Sequence, residues 1–273
     1  MILKNINIVR NLSLLAFVIT IASCSTDEKQ TVTTMDTLVM QDEFNTNGTP
    51  NSAIWDYNIG MGNNGWGNNE LQYYTNRPEN VVVQNGVLII TAKKESYKEA
   101  SYTSARLLTK GKFEQKYGRF EARIRVPFGQ GMWPAFWLLG ANSDTATWPQ
   151  CGEIDIMENR GQEPTKISGT IHGPGYSGGN AITKSYSLTN DRFDTGFHVY
   201  GIEWGPKYIN FYVDNVLYNQ ITPDKAKGEW VFDQPFYIII NLAVGGSFVG
   251  KPNTETPFPQ SMLIDYVRVY KNN

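Results

Sequence analysis

Cysteine and histidine are nearly absent: the 273 residues hold two of each. A structural zinc site needs four nitrogen or sulfur ligands at characteristic spacings, and Cys24, Cys151, His172 and His198 show none. A disulfide is not expected either, because Cys24 has another fate. Charge of one sign is also missing. The formal net charge is -2 at pH 7 and no long Lys/Arg run occurs, so the basic footprint of a nucleic-acid surface is not there. No apolar 3.6-residue period lasts longer than two turns, which argues against a helical architecture. There is no internal repeat, and no linker after residue 37. One domain over residues 38–273 is therefore expected, a normal size for a single large β-sandwich.

The N-terminus is set apart by composition. Lys4 and Arg10 give a positive start, and residues 12–22 form a short apolar run interrupted by Ser13 and Thr20. That run falls well short of the roughly 20 residues that span a bilayer, so residues 1–23 are expected to be a signal peptide. Ile21-Ala22-Ser23-Cys24 resembles a bacterial lipobox, which implies cleavage before Cys24 and lipidation on it. Several acyl chains on one residue give stable anchoring. Residues 24–37 then serve as a lipidated tether, and their acidic pair Asp27-Glu28 resembles a surface-export signal. An exported lipoprotein of the cell envelope is expected, displayed at the outer-membrane surface and touching the membrane through its lipid alone.

The remainder reads as strand after strand. Residues 119–126 alternate charged and apolar side chains, the mark of a strand with one wet face. Asp214-Asn215, between strand-like residues 207–213 and 216–221, is a two-residue turn tolerant of positive φ and predicts a hairpin. Residues 236–244 are almost continuously apolar, as in a strand covered on both faces, with Asn241 interrupting. Further strands are expected over 38–44, 80–93, 103–108, 133–139, 166–172, 197–204 and 262–270. This pattern predicts an all-β sandwich of about a dozen or more strands.

Chemistry concentrates in Trp148-Pro149-Gln150-Cys151-Gly152-Glu153-Ile154-Asp155-Ile156-Met157-Glu158-Asn159. In a strand, Glu153 and Asp155 share one face while Ile154 and Ile156 point into the core. Glu158 is out of phase, and strict alternation would bury its charge among the isoleucines at a heavy cost. A bulge at Ile156-Met157 returns it to the face of the other two. Like charges so close raise one another's pKa, which lets one carboxyl stay protonated as a general acid beside an ionised nucleophile. Retaining glycoside hydrolysis needs such a pair, roughly 5–5.5 Å apart. At about 3.3 Å per residue a flat strand holds Glu153 and Glu158 too far apart, so the sheet must bend concave toward that face.

Glu-x-Asp-x-x-Glu on a bent strand resembles glycoside hydrolase family 16, and the extra residue resembles its laminarinase-like members. The resemblance covers residues 38–270. It implies a concave jelly-roll, concanavalin A-like β-sandwich of two antiparallel sheets. It also implies Glu153 as nucleophile, Glu158 as acid/base and Asp155 as the partner that tunes the nucleophile. The substrate implied is a β-glucan with β-1,3 bonds, cut internally by a monomer without a catalytic cofactor. The irregular segment 60–75, with its Trp66-Gly67-Asn68-Asn69-Glu70-Leu71-Gln72-Tyr73-Tyr74-Thr75 block, resembles a cleft wall of that group.

Sugar contacts follow from both sources. Trp133 and Trp137 are separated by an even number and share one side of a strand, where two indoles can pack on successive pyranose faces. Trp148, just before the acidic strand, is a third platform. By resemblance, His172 is a cleft histidine near Glu158 or a sugar hydroxyl, and Arg106 and Asn241 hydrogen-bond the sugar beside the cleaved bond. His198 is expected to be structural. Family members also hold calcium, and the matching positions are Asp265 with the carbonyls of Glu43 and Gly86, oxygen ligands that suit that ion. Gly175-Tyr176-Ser177-Gly178-Gly179 fits a nucleophile elbow in letters, but no helix can start at Gly178-Gly179-Asn180. Mixed-linkage β-1,3-1,4-glucan, a galactan and a non-catalytic glycan-binding role are the competing expectations. Phe248 stands where many relatives carry tryptophan.

Overall fold

The computed structural model describes residues 35 and 37–271. The expected signal peptide, the tether with Cys24 and the last two residues lie outside the described residues, apart from positions 35 and 37. Seventeen strands are described. In chain order they are β1 (Thr37–Asp42), β2 (Asp56–Tyr57), β3 (Gln72–Tyr74), β4 (Val81–Gln84), β5 (Val87–Tyr97), β6 (Ala100–Ser104), β7 (Arg106–Leu108), β8 (Gly118–Arg125) and β9 (Met132–Gly140). There follow β10 (Glu153–Asn159), β11 (Lys166–His172), β12 (Ile182–Ser187), β13 (His198–Gly205), β14 (Tyr208–Val213), β15 (Val216–Ile221), β16 (Phe236–Val244) and β17 (Gln260–Lys271).

They form two sheets. The ten-stranded sheet runs β15-β14-β13-β8-β17-β5-β6-β3, with β1 on β17 and β4 on β5; the seven-stranded sheet runs β12-β11-β10-β9-β16-β7-β2. Pairings are antiparallel except β3 with β6. The core between the layers takes alternate residues of each strand, as a period of two requires. Phe136, Leu138, Ile154, Ile238, Ile240 and Leu242 come from one sheet, and Leu88, Ile90, Phe120, Ile124, Ile202 and Val267 from the other. This is the jelly-roll sandwich the sequence implies.

Four local expectations change, the first being the strand expected over 103–108, which breaks at Ala105 and passes from β6 in the ten-stranded sheet to β7 in the seven-stranded one. The outer face of β8 is wet only at Arg123 and Arg125, because Arg119 and Glu121 are 7% and 5% exposed. A central position between β13 and β17 lets neighbours cover them, and Glu121 accepts hydrogen bonds from Arg119 Nε at 2.8 Å and Tyr212 at 3.0 Å. The strand expected over 80–93 is a hairpin, since Asn85 and Gly86 both take positive φ and turn the chain. The segment 60–75 is not irregular throughout: residues 72–74 are β3, beside β6. The Asp214-Asn215 turn is as expected, with φ of 49° and 64°.

β16 is buried along its whole length. Its inner residues join the main core. Outward, Tyr237 and Ile239 form a second apolar cluster with Leu108, against which Trp137 and Leu139 pack. That cluster is the floor beside which the polar site is built.

Candidate active site

The site occupies the outer face of the seven-stranded sheet. Register fixes its rows: Glu153 lies opposite Leu139 and His172, Asp155 opposite Trp137 and Thr170, and Glu158 opposite Ala135 and Ser168. Between Asp155 and Glu158 the register slips by one residue against both neighbours, so Ile156 is extra. Ile154, Ile156 and Met157 are all buried, and the three carboxyls share the opposite face. Without the bulge one of those charges would face the core.

Enclosure decides the protonation of this row. Burial pushes Glu153 up to about 8, the charge of Asp155 adds to the rise, and His172 opposes it. Asp155 is likewise pushed up to about 8 by burial, against a hydrogen bond with Glu153. Glu158 rises to about 8 through burial and the Asp155 charge, while the Trp133 indole N–H, donating to Oε1 at 3.0 Å, pulls the other way. Each ionisation makes the next harder, so the row retains protons at a pH where free carboxyls have lost them. A nucleophile and an acid can thus coexist in one cleft.

His172 sits at the Glu153 end of the row, not at Glu158. Its Nε2 is 3.1 Å from Asp155 Oδ2 and 3.6 Å from Glu153 Oε1. The backbone N–H of Gly178 donates to Nδ1 at 3.1 Å. A nitrogen that accepts carries no proton, so the proton is on Nε2 and faces the carboxylates. Glu153, Asp155 and His172 lie close enough to surround a metal ion. The same N–H donor argues against it, because Nε2 would have to give up the proton that Gly178 keeps there.

Aromatic walls flank the row. Trp133 packs on Phe248 at 5.1 Å, and the Arg160 guanidinium lies over Phe248 at 4.1 Å. Trp137 donates its N–H to Asn241 Oδ1 at 2.8 Å. Arg106 lies between two indoles, 4.8 Å from the ring centroids of Trp66 and of Trp137. Trp66 itself adopts φ 54°, ψ 29° and donates to Gly60 O at 3.3 Å. Trp148 stands at the rim, 45% exposed, with its ring 5.7 Å from His172. Asn241 is only 6% exposed and has its oxygen and its nitrogen both engaged by protein groups, so it sits behind the wall, not in it.

A bulged row of three acids walled by indoles is an arrangement for handling sugars, and comparison decides which family it is. The glycosyl hydrolases family 16 model matches residues 68–268. The chain belongs to glycoside hydrolase family 16. Among its relatives, a beta-glucanase of Rhodothermus marinus is 45% identical over 244 residues, covering 86% of this chain and 85% of the relative. Two solved structures superpose with TM-scores of 0.83. The laminarinase catalytic domain of Thermotoga maritima is 47% identical, covering 86% of this chain and 98% of that one. The endo-beta-1,3-glucanase of Pyrococcus furiosus is 48% identical, with 86% and 94% covered. The family is one of retaining glycoside hydrolases, so this chain is such an enzyme.

In this family 16 chain the corner expected to hold calcium is occupied by ion pairs. Register brings the ends of β1 and β5 alongside the middle of β17, with Asp42 opposite Val267 and Leu88 opposite Ile264. Asp265 pairs with Arg123 at 2.6 Å, and the Glu43 side chain pairs with Arg268 at 2.7 and 2.9 Å. A cation there competes with the Arg123 guanidinium for Asp265. The Gly-x-Ser-x-Gly letters lead only into a single turn, Gly178–Asn180. His198 pairs with Asp214 at 2.7 Å, away from the row.

Glu70 was missed by sequence reasoning. It is 6% exposed and bonds to Gln72 and Tyr74. One signal was available: it is the sole acid in residues 60–75 and alternates with Gln72 and Tyr74.

Proposed function

We propose that this family 16 enzyme is a retaining endo-β-1,3-glucanase acting on laminarin-type glucan. The observation that carries it is the bulge at Ile156, which sets Glu153, Asp155 and Glu158 on one outer face between Trp133 and His172. Glu153 attacks the anomeric carbon while Glu158, protonated, delivers its proton to the departing glycosidic oxygen. Glu158, now a base, takes a proton from water, which attacks the same carbon and frees Glu153. Asp155 shares a proton with Glu153 and holds it toward the sugar, and His172 sets its Nε2 beside them, 3.1 Å from Asp155 Oδ2. Trp133 and Trp137 supply stacking faces, and Arg106 a hydrogen-bonding cation between Trp137 and Trp66.

The test is product analysis of the protein without residues 1–24 on laminarin and on barley mixed-linkage glucan, beside Glu153→Gln. Oligosaccharides from laminarin, absent in the variant, are expected. Faster release from the mixed-linkage chain would shift the substrate, and binding without hydrolysis of either would replace the enzyme with a glycan-binding protein.

Two further readings belong with this one. The lipobox resemblance supports an outer-membrane lipoprotein anchored at Cys24, so Cys24→Ser should lose acyl labelling and leave the membrane fraction. Convergence of Glu43, Gly86 and Asp265 supports a structural calcium only where Arg123 yields. Excess calcium should then raise Tm, and an unchanged Tm in calcium and in chelator would remove it.

A further inference from the structure

One buried carboxyl at the back of the cleft has no part in breaking the bond. Glu70 follows the turn that carries Trp66. Its Oε2 accepts from Gln72 Nε2 at 2.7 Å and from the Tyr74 hydroxyl at 3.1 Å. The Tyr74 oxygen accepts from Asn241 Nδ2 at 3.1 Å, and Asn241 Oδ1 from the Trp137 indole at 2.8 Å.

Each proton's direction is forced. An indole N–H can only donate, so the Asn241 oxygen faces Trp137 and its nitrogen faces Tyr74. Having accepted from Asn241, Tyr74 gives its single hydroxyl proton to Glu70. A second run begins at the backbone N–H of Val244, which also can only donate, onto Gln72 Oε1 at 2.7 Å. That leaves Gln72 Nε2 for Glu70. Both runs therefore end on one oxygen, and only an acceptor closes them.

Charge acts on Glu70 in both directions. Burial pushes Glu70 above the usual carboxylate range, and Arg106, Gln72 and Tyr74 oppose the rise. Arg106 makes no hydrogen bond or ion pair with any described side chain and has a buried Nε without a partner. Its nearby counter-charges are Glu70 and, across the cleft floor, Glu153.

We propose that Glu70 is a positioning residue: through Tyr74 and Asn241 it fixes the plane of the Trp137 indole, and by charge it holds Arg106 between Trp137 and Trp66. This rests on the glucanase reading of the cleft. Tyr74 is 0% and Glu70 6% exposed, so neither can stack on a polysaccharide. Any effect on substrate must pass through the groups they orient. An indole held in one plane before sugar arrives loses less freedom on binding, which strengthens the complex without touching the scissile bond.

The test is a double-mutant cycle on a laminarin oligosaccharide, with Tyr74→Phe, Trp137→Phe and the pair. Tyr74→Phe is expected to raise KM about tenfold with kcat within about twofold. In the Trp137→Phe background the same change should cost less than about twofold, because no indole N–H remains to be oriented. Equal losses in both backgrounds, or a folded Tyr74→Phe with wild-type KM, would overturn the relay. Should Tyr74→Phe lose its cooperative melt, Glu70→Gln, which weakens the acceptor and removes the charge, takes its place: its KM loss should shrink in the Trp137→Phe background to the part carried by Arg106, and an undiminished loss there would overturn the relay. Wild-type hydrolysis in the same assay separates the two failures: none at all refutes the glucanase, whereas additive losses in an active enzyme refute the relay alone.

Discussion

At the scale of single residues, Glu158 carries the most exposed chemical commitment, because an acid must arrive protonated. Burial and Asp155 hold its proton on, and the Trp133 N–H favours letting it go. Trp133→Phe deletes that donor and raises the Glu158 pKa further. The alkaline limb of kcat/KM should therefore move to higher pH even as the rate falls through lost stacking. A pH profile on a soluble laminarin oligosaccharide checks this, and a limb that stays in place would remove Trp133 from control of the acid. The three carboxylates were legible in the sequence because acids interleaved with isoleucines demand a reason. The aim of His172 was not. Its tautomer depends on the backbone N–H of Gly178, and backbone donors leave no letter in a sequence.

At the scale of elements, phase was the informative quantity. Glu153 to Glu158 is an odd step in a period of two, so a bulge followed from the letters and stands at Ile156. The loop before β3 was half legible. Its aromatic and Asn/Gly content marked a wall, but the turn that seats Trp66 depends on contacts between residues five apart, such as Glu70 N–H to Gly65 O at 3.2 Å. Gly65 has φ +57°, and an added Cβ would overlap the backbone of Glu70. Gly65→Ala should displace Trp66 and Glu70 together, raising KM about tenfold while kcat changes less and Tm falls by about 2–4 °C. Substrate titration with a thermal melt tests it, and an unchanged KM would separate the turn from the sugar site.

At the scale of the whole molecule, the acidic row works against folding. Glu153 has its folded pKa raised from 4.5 to about 8. Between those values the folded row, in which Asp155 and Glu158 are raised alike, holds protons that the unfolded chain has released, while the charge the row does carry can rest on Glu153. The contribution is full below about pH 4.5 and is lost as pH rises through 8. Glu153→Gln keeps the shape and removes the ionisation. It should raise Tm by about 2–4 °C at pH 8 and by less at pH 5, with hydrolysis lost. Melts at both pH values decide it, and a lower Tm at pH 8 would show that the carboxylate stabilises the fold.

By itself the sequence determined an all-β sandwich, the row of Glu153, Asp155 and Glu158, its bulge, and the indoles beside it. Each of these is a local consequence of a two-residue period and of the cost of burying charge. Tertiary structure alone decided the covering of Arg119 and Glu121 on β8, the withdrawal of Asn241 behind Trp137, and the burial of Glu70. Those outcomes depend on which strands become neighbours. Asn241 and Tyr74 are 167 positions apart and meet at 3.1 Å because β16 and the segment around β3 converge on one wall of the cleft. Register between distant strands is a property of the packed sheets, and no window of sequence contains it.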